Sequence, residues 1–222
     1  KKQKKLQDSE TGSDENSKTK LNFSGVNFSG TFLREVDFSG CRINFSLAKF
    51  IGADLSDMIL PHYINLSGAD LTRANLRKAE IHFANLENAV LVDANCNDCK
   101  IYYSTLKETN LAEAKLRNAG FENSNLENVN MSDTDFSGGT FNHSSIKNAT
   151  YMSPPVFKGV SFKYTNIVQS IFNNIDFSNA EFECSDIESS KFDKCNFESV
   201  VFYLGKMKEC FLNNCQIKGT SF

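Results

Sequence analysis

The chain has 222 residues, enough for one or two domains with a sizeable core, and a formal net charge of −3. This balance argues against a nucleic-acid-binding protein, which is expected to carry a basic face. No run of about eighteen apolar residues predicts a membrane-spanning helix. Phe occurs 20 times, whereas Trp is absent and Pro occurs three times, so one bulky residue type is used repeatedly.

The first twenty residues, "KKQKKLQDSETGSDENSKTK", are polar and of mixed charge. A segment with so few apolar residues cannot offset its ordering entropy by burial, so we predict a disordered tail or linker over residues 1–20. The apolar core of a signal peptide is missing here. Because the chain begins with Lys1 rather than Met, we expect it to be an excised or processed segment.

From Leu21 onward a large apolar residue recurs at every fifth position, a period that neither a helix nor a strand has. We call this residue the centre of its five-residue unit and number the other positions relative to it. About forty units cover residues 21–222. The centres form four runs with short breaks between them: Phe23 to Phe38, Phe45 to Leu60, Leu66 to Tyr151 and, after one inserted residue at Pro154-Pro155, Phe157 to Phe222.

A second restricted position lies two residues before each centre and holds small side chains, such as Ala69, Ala74 and Ala79. The repeats "ADLTRANLRKAEI" and "TNLAEAKLRNAGF" match the pattern A(D/N)LXX, and on these motifs the chain resembles the pentapeptide-repeat proteins. That resemblance implies an all-β fold, a right-handed quadrilateral parallel β-helix with four units per coil. Forty units would give about ten coils, each covering the apolar side of its neighbours.

Most Phe and Cys residues have a structural reason for their positions. Of the 20 Phe, only Phe32, Phe83 and Phe211 are not centres. Five cysteines fall on inward positions, so we interpret them as buried filler, and we expect Cys195 and Cys215 to stack one coil apart as a reduced pair. Seven Cys without a repeated metal-type spacing predict a reducing compartment, the cytoplasm. We predict no cofactor and no metal.

Catalysis finds no support in the sequence. The three His are His62, His82 and His143, and we expect the two that share a face to be about 14 Å apart. Phosphate-binding loops and nucleophile elbows are absent, and the scattered Asp and Glu lie mostly at outward repeat positions. We therefore predict that this segment is not an enzyme.

Taking every fourth centre assigns each unit to one of four faces, and one face stands out. Its centres run from Ile81 through Phe121 to Phe222, and we expect His82 to stack on Tyr102 and Phe83 on Tyr103. Rings gathered on one side resemble the centres of protein interfaces, although β-rich surfaces also favour aromatic residues. The predicted partner-binding residues are His82, Phe83, Tyr102, Tyr103, His143, Tyr164, Tyr203 and Leu204.

Another face carries a small basic strip of Arg77, Lys78, Lys115 and Arg117. Four cations over two coils are too few for a nucleic-acid track, so we interpret the strip as a solvated face.

Two functions fit this sequence. The first is a non-catalytic scaffold that binds another protein, of unknown identity. By the family resemblance, such a scaffold is the partner- or substrate-binding module of a larger secreted bacterial effector, such as a HECT-like ubiquitin ligase acting in the host cytoplasm. Because the tenth coil ends at Phe222 without a polar cap, we also expect end-to-end or C-terminal-end association.

The second function, also from the family resemblance, is a DNA-mimicking topoisomerase (gyrase) inhibitor of the quinolone-resistance type. Such proteins are expected to have a C-terminal dimerisation helix and a strongly acidic rod. The sequence has neither a C-terminal helical pattern nor a continuous acidic face, so the scaffold is favoured.

Overall fold

A computed structural model of the chain describes residues 19–221. Within this range all regular secondary structure is short parallel β-strand, and no helix occurs. Of the tail predicted over residues 1–20, residues 1–18 lie outside the described residues, as does Phe222. The strands are β1 (Thr19–Asn22), β2 (Cys41–Asn44), β3 (Glu80–His82), β4 (Lys100–Tyr102), β5 (Asn125–Glu127), β6 (Ser145–Lys147), β7 (Asn166–Val168), β8 (Ile171–Asn173), β9 (Asp186–Glu188), β10 (Lys191–Asp193), β11 (Lys206–Lys208) and β12 (Phe211–Asn213).

Each strand pairs with the strand at the same position of the next coil, so neighbouring strands in a sheet are not always consecutive in the chain. β1 pairs with β2 and β3 with β4, while two longer ladders run β5-β6-β7-β9-β11 and β8-β10-β12. Isolated parallel bridges continue the same pairing at the positions between the named strands. The result is a rod with four walls, in which each residue pairs with the residue about one coil further along the chain.

The coil length changes where the sequence breaks. Asn22 pairs with Asn44, Asn44 with Asn65, and Asn65 with Asn85, which gives coils of 22, 21 and then 20 residues. A second coil of 21 residues, from Asp135 to Val156, contains the Pro154-Pro155 insertion. The bridges on either side of these breaks stay in register, so the longer coils still stack on their neighbours.

Each five-residue unit closes a tight turn, as the unit centred on Leu71 illustrates. The Asp70 carboxylate accepts a hydrogen bond from the Thr72 N–H at 3.0 Å, and the Ala74 N–H donates to the Leu71 carbonyl at 2.9 Å. Arg73, the residue at position +2, has a φ of 57°. Asp or Asn before the centre is therefore explained by its short acceptor side chain.

The core consists of stacked side chains in parallel columns. In one column Phe136, Phe157, Phe177 and Phe197 stack at centroid distances of 5.1, 5.4 and 5.3 Å. The small inward position most often holds Ala, Ser or Thr, and its hydroxyls donate to carbonyls; Thr109 Oγ1, for example, donates to the Leu86 carbonyl at 2.8 Å.

The predicted architecture is confirmed: the chain forms a right-handed quadrilateral parallel β-helix of about ten coils. Strand β1 already includes Thr19 and Lys20. The separation of a linker from the β-helix stays a prediction, because residues 1–18 are not described.

Candidate functional site

Six rings on one face form two parallel columns over three successive coils. In the column at position +1, His62, His82 and Tyr102 lie 5.7 and 5.2 Å apart between ring centroids. In the column at position +2, Tyr63, Phe83 and Tyr103 lie 5.2 and 4.9 Å apart. We call these six residues the ring cluster. The stacking expected for His82 on Tyr102 and for Phe83 on Tyr103 is confirmed.

The position of His62 differs from the expectation that only His82 and His143 share a face. His62 stacks directly on His82 with an interplanar angle of 19°, and Tyr63 continues the neighbouring column. Both residues belong to the 21-residue coil, and the extra residue beside Pro61 hides their register in the sequence. Aligning that coil by its bridge from Ile59 to Glu80 would have placed His62 and Tyr63 on this face.

The backbone beneath the outer column is left-handed. Tyr63, Phe83 and Tyr103 have φ values of 63°, 56° and 54°. This region favours Gly and Asn, and bulky side chains adopt it at a cost of about 1–2 kcal/mol. Stacking offsets part of that cost, at about 0.5–1.5 kcal/mol per aromatic pair. General strand propensity therefore does not account for these rings, because they occupy turn positions.

His82 lies in the middle of its column, between His62 and Tyr102. Its Nε2 atom is buried without a hydrogen-bond partner. Burial lowers the pKa of His82, as do the nearby His62 and Lys100, whereas Glu80 opposes the shift. Burial also raises the pKa of the Tyr102 phenol, with Glu122 adding to the effect. Both shifts favour the uncharged forms of His82 and Tyr102.

The remaining predicted residues lie further along the same face but do not join the cluster. His143 stacks on Tyr164 at 4.8 Å with an interplanar angle of 2°. The Cys184 thiol follows Tyr164 and raises the pKa of its phenol. Tyr203 and Leu204 are exposed by 59 % and 67 %, beyond Cys184. The structure therefore places all eight predicted residues on one face, in three groups.

A shallow groove of about 610 Å³ runs beside the outer ring column. Its rim is formed by Phe83, Tyr103, Asn123 and His143. The opposite side is polar and presents one short amide or hydroxyl side chain per coil: Asn85, Thr105, Asn125, Ser145 and Asn166. Rings on one side and hydrogen-bonding groups on the other make this groove chemically unlike the rest of the surface.

Some charged residues elsewhere pair across coils. Lys100 Nζ lies 2.6 Å from Glu80 Oε1, and Lys163 Nζ lies 3.1 Å from carboxylate oxygens of both Glu181 and Glu183. In the basic strip, Arg77 and Lys115 approach Asp98 and Asp93 at 4.0 and 3.9 Å, and Arg117 pairs with Asp135 at 2.5 Å. Exposed pairs of this kind add little stability.

The cysteines behave as core and wall residues. Cys96, Cys99 and Cys195 are buried, and all seven are free thiols. The Cys195 thiol donates to the Phe172 carbonyl, just as the Ser and Thr hydroxyls do at the same position of other coils. Burial raises the pKa of Cys195 to about 12. The part of the chain that the structure describes contains no group of three or more His, Cys, Asp or Glu side chains arranged to hold a metal ion.

None of the described residues forms a helix that is long and apolar enough to cross a membrane.

Solved structures of pentapeptide-repeat proteins are similar in outline to this rod. HetL from the cyanobacterium Nostoc sp. strain PCC 7120, described as involved in heterocyst differentiation regulation, is 15 % identical, with 92 % of this chain and 90 % of that chain covered and a TM-score of 0.39. QnrB1, a plasmid-mediated fluoroquinolone resistance protein, is 12 % identical over 91 % of each chain, with a TM-score of 0.38. A protein of the Arabidopsis thaliana thylakoid lumen is 29 % identical over 51 % of this chain and 67 % of that chain, with a TM-score of 0.26.

Among curated protein sequences, none matches the chain significantly. The profile of the pentapeptide repeat region matches residues 79–151, and the profile of eight pentapeptide repeats matches residues 21–57, 62–93 and 161–198. Together these matches cover well over half of the chain and coincide with the stacked coils. The chain belongs to the pentapeptide-repeat family.

Proposed function

We propose that this rod is a non-catalytic protein-protein interaction scaffold, and that its ring-bearing face binds the partner. The observation that carries the proposal is the ring cluster itself: six contiguous rings on one side of the rod, arranged in two stacked columns. Aromatic residues are enriched where protein interfaces are most tightly packed.

The backbone cost of the outer column supports the same function. Asn occupies position +2 in many coils, for example Asn88, Asn118 and Asn128, and relieves the left-handed strain. Tyr63, Phe83 and Tyr103 adopt the same left-handed backbone without the lower conformational cost that Asn has there. Because the rod folds with Asn, Lys, Arg or Glu at this position elsewhere, the rings are not required for the turn, and their concentration on one side supports binding.

The wider biological setting stays a prediction from the family resemblance. By that resemblance, the rod is the partner- or substrate-binding module of a larger bacterial effector, such as a HECT-like ubiquitin ligase, in a reducing compartment such as the host cytoplasm. Association through the C-terminal end of the rod is likewise proposed.

The alternative, a DNA-mimicking gyrase inhibitor, is less well supported by the charge distribution. Such a mimic requires carboxylates that remain unpaired along one face, to imitate the phosphates of DNA. Here Glu80, Glu127 and Glu188 pair with a Lys of the next coil. A supercoiling assay with purified gyrase tests the alternative, and we expect no inhibition by the rod.

The scaffold function is tested by comparative affinity capture with quantitative mass spectrometry. The test variant is Phe83→Asn/Tyr102→Gln/Tyr103→Asn, in which Asn suits the left-handed positions and the fold is preserved. The matched control is Lys78→Asn/Lys107→Gln/Glu108→Asn, which changes the same kinds of position on other faces. We expect the wild type and the control to recover a partner that the test variant loses. Equal recovery by all three proteins would contradict the proposal.

A further inference from the structure

The outer ring column is interrupted at a single position. Moving along position +2 of this face, the side chains are Tyr63, Phe83, Tyr103, Asn123, His143 and Tyr164. Five of these six are rings, and Asn123 separates a stack of three from a stack of two. We call the space over Asn123, between the rings of Tyr103 and His143, the ring slot.

The dimensions of the ring slot fit one flat group. Within the two stacks, successive rings lie 4.9 Å apart for Phe83 and Tyr103 and 4.8 Å apart for His143 and Tyr164. Tyr103 and His143 are separated by two coils, or about 9.6 Å at the usual spacing of neighbouring strands. A ring placed midway would lie about 4.8 Å from each neighbour, inside the range of favourable aromatic pairs.

Both walls of the slot are preorganised and open to a binding partner. Phe83 backs the Tyr103 ring, and Tyr164 backs the His143 ring, so neither wall needs to be ordered on binding. Tyr103 is 54 % exposed, and His143 and Asn123 are also exposed. The slot opens into the groove, where the short side chains of Thr105, Asn125 and Ser145 supply hydrogen-bond donors and acceptors.

The charge of the groove selects the class of occupant. Among the residues that line it, none is Lys, Arg, Asp or Glu. A nucleotide would need cations for its phosphates, and none is provided here. A neutral ring is favoured, with nearby amides and hydroxyls to receive the polar backbone on either side of it.

We propose that the ring slot binds a single aromatic side chain, Tyr, Phe or Trp, supplied by a partner protein. The inserted ring completes a continuous stack of six rings along the rod. This assignment rests on the proposed scaffold function, since it specifies what the partner presents to the ring-bearing face.

The direct test uses N-acetyl-tryptophanamide and N-acetyl-tyrosinamide as probes, with N-acetyl-alaninamide as the control compound. The protein contains no Trp, so the fluorescence of the tryptophan probe is free of protein indole background. We expect saturable binding of both aromatic probes, with ring-current shifts in NMR of the His143 and Tyr103 ring protons. Absence of these shifts at saturating probe concentration would overturn the proposal.

The decisive variant fills the slot from within. In Asn123→Tyr the new ring takes the position that Tyr103 and Phe83 occupy in their own coils, with the same left-handed backbone. We expect probe affinity to fall about tenfold or more, as the loss of two stacking contacts predicts. The matched control is Asn128→Tyr, which places a ring at the same position of the adjacent face, and it should bind the probes like the wild type.

Two measurements keep the test decisive. A thermal unfolding midpoint for Asn123→Tyr no lower than that of Asn128→Tyr shows that lost binding reflects a filled slot. If Asn123→Tyr does not fold, Tyr103→Asn replaces it: removal of one wall should weaken binding by a similar factor, and unchanged affinity would contradict the slot. Tighter binding of adenosine than of the aromatic amides would also overturn the proposal, in favour of a nucleobase site.

The result of the probe-binding experiments is independent of the affinity-capture experiment on the whole ring-bearing face. Loss of partner recovery with the triple variant, together with no probe binding by the wild type, would retain the scaffold function and reject the slot. Unchanged recovery with the triple variant would reject the scaffold function, whatever the probes show.

Discussion

The Tyr102 ring lies directly over Gly120, which is one coil further along the rod. A Cβ atom built at residue 120 would lie 2.5 Å from Cε1 and 2.8 Å from Oη of Tyr102. Gly120 does not have a positive φ, so its backbone conformation is open to any residue. The glycine is therefore explained by the space that the phenol requires.

Gly120→Ala should displace the Tyr102 ring and weaken partner binding, although residue 120 is not itself one of the rings. The added Cβ is incompatible with the present ring position, whereas the backbone accepts Ala without strain. Capture of the partner by Gly120→Ala measures the effect.

The control is the same substitution in a Tyr102→Gln background. There, Gly120→Ala should cause no further loss, because the group that it displaces is gone. An equal loss in both backgrounds would mean that Gly120 acts in some other way.

His82 should make the rod less stable as the pH falls below about 6.5. Burial places the pKa of His82 below its ordinary value of 6.5 in the folded protein. The unfolded chain then binds the proton more readily, so the free energy of unfolding is fully retained above pH 6.5 and decreases toward the lowered pKa. Urea unfolding of the wild type and of His82→Asn at pH 7 and pH 5 tests this: the decrease should be smaller in the variant. A decrease of equal size would contradict the role of His82.

Phe177→Ala should strongly destabilise the rod. Phe177 is 1 % exposed and stacks between Phe157 and Phe197, at 5.4 and 5.3 Å. Truncation leaves a cavity in a column that cannot collapse, at an expected cost of about 3–5 kcal/mol. Phe32→Ala is the matched control, since Phe32 is 80 % exposed, and it should change the free energy of unfolding by less than about 0.5 kcal/mol. Chemical denaturation of both variants provides the comparison.

Cys195 should resist alkylation in the folded protein. Its thiol is buried, donates to the Phe172 carbonyl, and has a pKa raised to about 12, so almost no thiolate is present at pH 8. Iodoacetamide at pH 8 followed by peptide mass spectrometry should label Cys195 far more slowly than the partly exposed Cys184. Equal rates in the native state would contradict the buried position, whereas equal rates in denaturant are expected.

Much of the ring-bearing face follows from counting residues. Once the period of five is recognised, His82, Phe83, Tyr102 and Tyr103 share a face by arithmetic, and their stacking follows from the coil spacing. His62 and Tyr63 also follow a centre of this face, Leu60, but the additional residue of their coil shifts them by one position. The bridge between Ile59 and Glu80 shows that they align with His82 and Phe83.

The ring slot shows a different limit of sequence reasoning. Asn123 is an ordinary residue for position +2 and carries no signal of its own. Its importance depends on which faces of the neighbouring rings are covered, and this is decided by the directions of the Tyr103 and His143 side chains. Spacing along the chain does not contain those directions.

The sequence by itself determined the repeat, the two inward positions and the side on which the rings gather, because these depend on periodic burial of apolar side chains, and its resemblance to the pentapeptide-repeat proteins implied the fold. The tertiary structure decided where the extra residues of the longer coils go, which rings touch, that the outer rings lie on left-handed turns, and that Tyr102 occupies the space left by Gly120. These features depend on contacts between residues one coil apart, which form only when the coils stack.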